Sequence, residues 1–85
     1  MTTIKVYGAD WCGDTQGALN YLDSLGVDYD YIDVERDAPA SEWVKAQNEG
    51  KERKPTILVG SRVLAVPKQD ELEAALAEEG LIDQS

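Results

Sequence analysis

The segment Val6-Tyr7-Gly8-Ala9-Asp10-Trp11-Cys12-Gly13-Asp14-Thr15 contains the single cysteine of this 85-residue chain. A short apolar alternation ends inside this segment, and a helical pattern of apolar residues begins after Cys12. The N-terminus of a helix offers unpaired N–H groups and a positive dipole end, and both favour a thiolate over a thiol. The segment therefore predicts a strand, a loop and a helix that present a thiol at the start of the helix.

The rest of the chain continues the alternation of strand and helix patterns. Strands are predicted at 2–7, 27–34, 56–59 and 62–65, and helices at 12–25, from Asp37 to before Gly50, and at 69–79. The residues Gly60-Ser61 predict a two-residue hairpin turn. Residues 81–82 are expected to fold back onto the core, and residues 83–85 to fray.

This order, β-α-β-α-β-β-α, decides the expected architecture. Two strands joined through a helix are parallel and right-handed, whereas the terminal hairpin is antiparallel. We therefore expect one α/β domain over residues 1–85, with a mixed four-stranded sheet and helices on both faces.

Composition excludes several classes of protein. With 8 basic and 17 acidic residues the net charge is −9, so nucleic-acid backbones are repelled. No apolar run approaches the roughly 20 residues that a membrane span needs, and no signal pattern is visible, so we expect a cytoplasmic monomer without a membrane partner. One cysteine and no histidine leave no internal disulfide and no expected metal site.

The element order, with a cysteine at the first helix and a proline opening the third strand, resembles the thioredoxin fold. Within that fold the chain resembles the glutaredoxins, specifically the small actinobacterial glutaredoxin-like proteins that include the mycoredoxins. The resemblance covers nearly the whole chain. Its motifs are Trp11-Cys12-Gly13, Tyr31-Ile32-Asp33-Val34-Glu35 and Lys54-Pro55-Thr56-Ile57.

The resemblance implies a role for each matching position. Cys12 corresponds to the nucleophile, and Trp11 and Gly13 beside it are expected to contact a ligand. Pro55 corresponds to the cis-proline of the family, which turns the backbone of Lys54 towards the thiol. A second turn that contacts the ligand is expected near Val66 and Lys68, within residues 65–68.

The chain departs from the family pattern at three places. Thr15 replaces the second cysteine of Cys-x-x-Cys, so no resolving thiol lies in the same chain and an external thiol must complete the exchange. Ala9 stands where glutathione-using members commonly carry a lysine. Ala65-Val66 stands where many members have two glycines. These changes leave mycothiol or another small thiol open as an alternative to glutathione.

Each candidate residue also has an ordinary structural interpretation. Cys12 could be a buried core cysteine, and Trp11 could be a core side chain instead of an apolar wall beside the ligand. The Thr15 hydroxyl could donate to a Cys12 thiolate or satisfy the local backbone. Lys54 and Lys68 could bind a ligand carboxylate or remain solvated.

Electrostatics at the motif act in both directions. The helix N-terminus lowers the thiol pKa, whereas the nearby carboxylates of Asp10 and Asp14 raise it. We therefore expect a thiol pKa that is lowered, but less than such motifs allow.

The sequence thus favours a monothiol glutaredoxin-like oxidoreductase that acts through Cys12 and Thr15. Its partners would be mixed-disulfide proteins and a small thiol, mycothiol or glutathione, that serves as cosubstrate, with no tightly bound cofactor. One alternative is a thioredoxin-fold module that binds a partner without turnover. Another is an iron–sulfur carrier, although such proteins carry Cys-Gly-Phe-Ser where this chain has Cys-Gly-Asp-Thr.

Overall fold

The computed structural model describes residues 3–82 of the chain, and all seven predicted elements are present in the predicted order. The strands are β1 (Ile4–Gly8), β2 (Asp30–Asp33), β3 (Thr56–Val59) and β4 (Arg62–Ala65). The helices are α1 (Gly13–Leu25), α2 (Ala38–Gln47) and α3 (Gln69–Glu78).

The four strands form one mixed sheet in the order β2-β1-β3-β4. Strand β1 pairs in parallel with β2, with Val6 opposite Tyr31, and antiparallel with β3, with Val6 opposite Ile57. Strands β3 and β4 form the antiparallel hairpin. The predicted thioredoxin-like topology is confirmed.

Each face of the sheet is covered by helices, because side chains alternate between the faces along each strand. On one face α1 and α3 pack on the sheet through a buried apolar cluster. On the other face α2 packs on a smaller cluster, in which the ring of Tyr7 stacks on that of Trp43 at a centroid distance of 4.5 Å. The larger cluster consists of Ile4, Val6, Leu22, Ile57, Val59, Leu72, Ala75 and Leu76.

Several element boundaries differ from the prediction. Strand β2 begins at Asp30 instead of Val27, because Val27 donates its N–H to Leu22 O and so belongs to the C-terminal cap of α1. Strand β1 extends to Gly8, which was predicted as loop, and α3 ends at Glu78, with Glu79 as its C-cap.

Two predictions concern the C-terminal end of the chain. Leu81 and Ile82 pack against the larger cluster, as predicted. The predicted fraying concerns residues 83–85, which lie outside the described residues.

Within residues 3–82, no helix has both the length and the apolar character that crossing a membrane requires.

Candidate functional site

Cys12 is the N-cap residue of α1, so the helix begins at Gly13, one residue after the predicted start at Cys12. Its backbone is extended, with φ −80° and ψ 118°, and its carbonyl accepts the N–H of Gln16 at 3.0 Å. The backbone N–H of Cys12 donates to Ala9 O at 3.1 Å, which fixes the preceding loop. The thiol is partly exposed and forms no disulfide. This geometry places the sulfur at the free N–H groups of the first helical turn.

The pKa of the Cys12 thiol is lowered from its ordinary value. Burial is the largest single effect and raises the pKa, because it disfavours the charged form. Hydrogen bonds from the Thr15 hydroxyl and from the backbone N–H groups of Thr15 and Asp14 outweigh it. The Asp14 carboxylate raises the pKa slightly, which is the predicted opposing charge. The predicted direction of the shift agrees with this balance.

The Asp10 carboxylate has a hydrogen-bond partner that the sequence did not indicate. Tyr31 donates its hydroxyl to Asp10 Oδ1 at 2.7 Å, and Gln16 Nε2 donates to Asp10 O at 2.9 Å. Burial raises the pKa of Tyr31, and the hydrogen bond to Asp10 raises it further. The loop before the thiol is therefore tied to both β2 and α1.

Thr15 lies fully buried beneath the thiol, at 0% exposure. Its Oγ1 accepts the backbone N–H of Ala9 at a long distance of 3.5 Å, and its hydroxyl proton can still be donated to the Cys12 thiolate. The two interpretations of Thr15 are therefore compatible with each other, because one hydroxyl can accept and donate at the same time.

The Lys54–Pro55 peptide bond is cis, as the resemblance implies, and lies beside the thiol. The Lys54 carbonyl accepts from Cys12 Sγ at 3.7 Å. The Lys54 ammonium lies 3.0 Å from Glu52 Oε1 and 3.8 Å from Glu35 Oε2, and its side chain is only 16% exposed. Lys54 therefore reaches Cys12 through its backbone, while its charge is already paired.

A groove with a volume of about 500 Å³ opens beside Cys12, between α1 and α3. Of the predicted ligand-binding residues, Gly13, Pro55, Val66 and Lys68 line it, whereas Trp11 and Lys54 do not. The remaining lining residues are Asp14, Gly17, Ala18, Tyr21, Pro67, Gln69 and Leu72. The groove thus runs from Gly13 and Pro55, the neighbours of Cys12, to the turn that precedes α3, while Cys12 itself is not one of its lining residues.

Trp11 lies outside the groove and is 68% exposed as a residue, so it does not belong to the core. Its indole contacts Glu35 and Lys54. Glu35 ends the motif Tyr31-Ile32-Asp33-Val34-Glu35, but nothing in the sequence assigned it a role at the thiol. Within residues 3–82, no three Cys, Asp or Glu side chains form a group that could hold a metal ion.

Comparisons with known proteins agree with this arrangement. The glutaredoxin family model matches residues 4–64. Mycoredoxin 1 of Corynebacterium glutamicum is 42% identical over 57 residues, which cover 67% of this chain and 70% of that protein. A crystal structure of a thioredoxin-like protein has a TM-score of 0.80 at 25% identity and covers 89% of this chain and 96% of its own. NrdH-redoxin from Escherichia coli has a TM-score of 0.71 at 21% identity, covering 84% and 92% respectively, and shares the fold.

Proposed function

The chain belongs to the glutaredoxin family, and from that premise we propose that Cys12 exchanges mixed disulfides between proteins and a small thiol. The observation that carries the proposal is the position of Cys12 at the start of α1, with a lowered thiol pKa and an open groove beside it. A thiolate is the attacking species in disulfide exchange, and a neighbouring groove gives room for one half of the substrate.

The exchange proceeds in two steps. The Cys12 thiolate attacks the sulfur of the small thiol in the mixed disulfide, so that a Cys12–sulfur bond forms and the protein sulfur leaves as a thiolate, which takes a proton from water. A second molecule of the small thiol then attacks the adduct as its thiolate. This step releases the symmetrical disulfide and restores the Cys12 thiolate. In total the protein sulfur of the mixed disulfide is reduced to a thiol and one free small thiol is oxidised, and its sulfur joins the one from the mixed disulfide, so the exchange needs no bound cofactor.

Thr15 supports the first step without taking part in it. Its hydroxyl and the backbone N–H groups of Asp14 and Thr15 stabilise the attacking thiolate. With no second cysteine in the chain, the adduct on Cys12 persists until an external thiol arrives. The second step is therefore expected to be first order in the small thiol.

The charges around the groove bear on which small thiol it accepts. Lys54 is paired with Glu52 and Glu35, so its ammonium is not available to a ligand carboxylate. Lys68 lines the groove, but Asp14 lines it as well and opposes the lysine charge.

The start of α3 is also occupied by carboxylates of the chain itself. The N–H of Lys68 donates to Glu71 Oε1 at 2.9 Å, and the N–H of Glu71 donates to Asp70 Oδ1 at 3.0 Å. A ligand carboxylate would have to displace these groups and approach their charge. Since glutathione carries two carboxylates and mycothiol carries none, these contacts favour mycothiol as the cosubstrate.

Intact-mass spectrometry tests both parts of the proposal. The reduced protein is incubated with equal concentrations of oxidised glutathione and oxidised mycothiol, together and separately. We expect one adduct on Cys12, predominantly of mycothiol, that is lost on addition of free mycothiol. The Cys12→Ser variant is the control and takes up no adduct. A wild-type chain that forms no adduct with either disulfide refutes the exchange function, whereas a predominant glutathione adduct refutes only the choice of thiol.

A further inference from the structure

The exposed side chain of Trp11 is held in place by two other side chains. Its Nε1–H donates to Glu35 Oε1 at 2.7 Å, and Lys54 Nζ lies 4.8 Å from the centroid of its ring. The side chain of a residue as exposed as Trp11 would otherwise be free to rotate in solvent. These two contacts fix its orientation beside the thiol.

The residues that hold the indole are themselves fixed. Glu35 uses one carboxylate oxygen for the indole and the other, at 3.8 Å, for the Lys54 ammonium. Glu52 pairs with the same ammonium at 3.0 Å and accepts a hydrogen bond from Ser41 of α2. We call Glu35, Lys54 and Glu52 the Trp11 clamp. The clamp links an exposed aromatic ring to the buried side of the sheet that α2 covers.

Trp11 and the groove lie on opposite sides of Cys12. Glu35, which holds the indole, follows β2, whereas Val66 and Lys68 of the groove follow β4. Strands β2 and β4 are the two edges of the sheet. The thiol therefore has two distinct neighbours, a groove on one side and a fixed aromatic surface on the other.

A mixed disulfide also has two halves, and we propose that the Trp11 indole receives the protein half while the groove receives the small thiol. This inference rests on the exchange function proposed above. In disulfide exchange the attacking, central and leaving sulfurs lie nearly in line, so the protein sulfur departs on the side away from Cys12. The protein surface that carries it then lies over the exposed face of the site, where the indole is the large apolar group.

The chemistry of the indole fits this role. Tryptophan is enriched among the residues that dominate protein interfaces, because it offers a large apolar surface and a polar N–H. Holding the ring before binding removes part of the entropy cost of ordering it. Glu35 and Lys54 are thus positioning residues that act through Trp11. The occupant is a protein segment with an apolar side chain next to its modified cysteine.

Two substrates that differ only in the leaving half test the assignment. One is the mixed disulfide of the small thiol with a peptide whose cysteine is flanked by leucines, and the other is its mixed disulfide with 2-mercaptoethanol. The measured quantity is the ratio of kcat/KM for the peptide to kcat/KM for the mercaptoethanol substrate. We expect Trp11→Ala to lower this ratio about tenfold and Glu35→Ala to lower it at least threefold. Glu42→Ala, a charge-matched change on α2, is expected to leave the ratio at the wild-type value.

The positioning role has its own readout. In a Trp43→Phe background the tryptophan fluorescence, excited beyond the absorbance of tyrosine, comes from Trp11 alone. Glu35→Ala is expected to lower its anisotropy, and Glu35→Gln to restore it in part, since an amide oxygen still accepts the indole N–H but no longer pairs with Lys54.

Each contrary outcome has a distinct meaning. A Trp11→Ala variant that slows both substrates equally overturns the assignment of the protein half to the indole. Unchanged anisotropy and an unchanged ratio in Glu35→Ala overturn the role of the clamp. A wild-type protein that exchanges neither substrate refutes the exchange function itself, and the inference is refuted with it.

Discussion

Gly8 lies so close to Thr15 that a Cβ atom on residue 8 would stand 2.5 Å from Thr15 Cγ2 and 2.6 Å from its Oγ1. Atoms at those distances overlap, and Thr15 is buried, so its side chain has no free space in which to move. The last residue of β1 and the hydroxyl beneath the thiol therefore depend on each other. Because residue 8 is a glycine, the buried side chain of Thr15 in α1 fits directly against the end of β1.

We expect Gly8→Ala to destabilise the protein by about 1–3 kcal/mol, the usual cost of inserting a methyl group into a packed site. The measurement is the free energy of unfolding in urea. Gly17→Ala is the matched control, because nothing lies within 4 Å of a Cβ atom there and alanine is the better helix former by roughly 0.5–1 kcal/mol. The double variant Gly8→Ala/Thr15→Ala removes the overlapping atoms and should cost less than the sum of its parts. Strict additivity would contradict the contact.

The Thr15 hydroxyl is expected to contribute measurably to the lowered thiol pKa. Thr15→Val keeps the shape of the side chain and removes the hydroxyl, so the pKa of Cys12 should rise. Thr15→Ser keeps the hydroxyl and should leave the pKa close to that of the wild type. Ultraviolet absorbance of the thiolate, recorded against pH, gives both values. An unchanged pKa in Thr15→Val would leave the backbone N–H groups as the source of the shift.

The lowered thiol pKa also makes folding stability depend on pH. Above the folded pKa and below the unfolded value of about 8.5, the folded chain binds fewer protons than the unfolded chain, so stability rises with pH. Below the folded pKa this contribution is absent, and above about 8.5 it is complete. Urea unfolding of the reduced wild type and of Cys12→Ser, at a series of pH values, isolates it. A difference between the two proteins that stays flat through this window would mean that the thiolate is not stabilised in the folded state.

Much of this fold could be predicted from the sequence, for identifiable reasons. The apolar alternation around Val6 and the spacing of Leu22 and Leu72 specify which sides of the strands and helices are buried. The start of β2 could not be read in the same way. Val27 is apolar and β-branched like a strand residue, but the cap that follows Gly26 uses its N–H.

The site was predictable where the motif is local and unpredictable where distant segments meet. Cys12, Thr15 and Asp14 lie within one helical turn, so their spacing brought them together in the prediction, although it left open whether the Thr15 hydroxyl donates to the thiolate or to the local backbone. Glu35 is 24 residues from Trp11 in the chain, and its hydrogen bond to the indole depends on the pairing of β2 with β1. The contact of Lys54 with the Trp11 ring likewise joins distant segments, and a run of charged residues does not show which of them lies against that ring.

Val66 carries the clearest backbone strain near the groove. Its φ of 44° is unusual for a β-branched residue, and its N–H donates to Pro55 O at 2.8 Å. The left-handed conformation costs a valine roughly 1–2 kcal/mol of stability. A glycine there avoids that cost but lowers stability by roughly 0.5–1 kcal/mol, because its unfolded chain has more conformational entropy to lose on folding. Because Val66 is an exposed residue, its replacement by glycine gives up little buried apolar surface. Val66→Gly is therefore expected to stabilise the protein by up to about 1 kcal/mol.

Urea unfolding of Val66→Gly checks this, with Val63→Gly in the regular strand β4 as the matched control that should destabilise. A similar loss in both variants would mean that position 66 carries no strain. The groove supplies a reason for keeping a strained valine, since the side chain forms part of its wall. If Val66→Gly unfolds at higher urea concentration yet forms the small-thiol adduct more slowly, the strain at this turn is tied to ligand contact and not to folding.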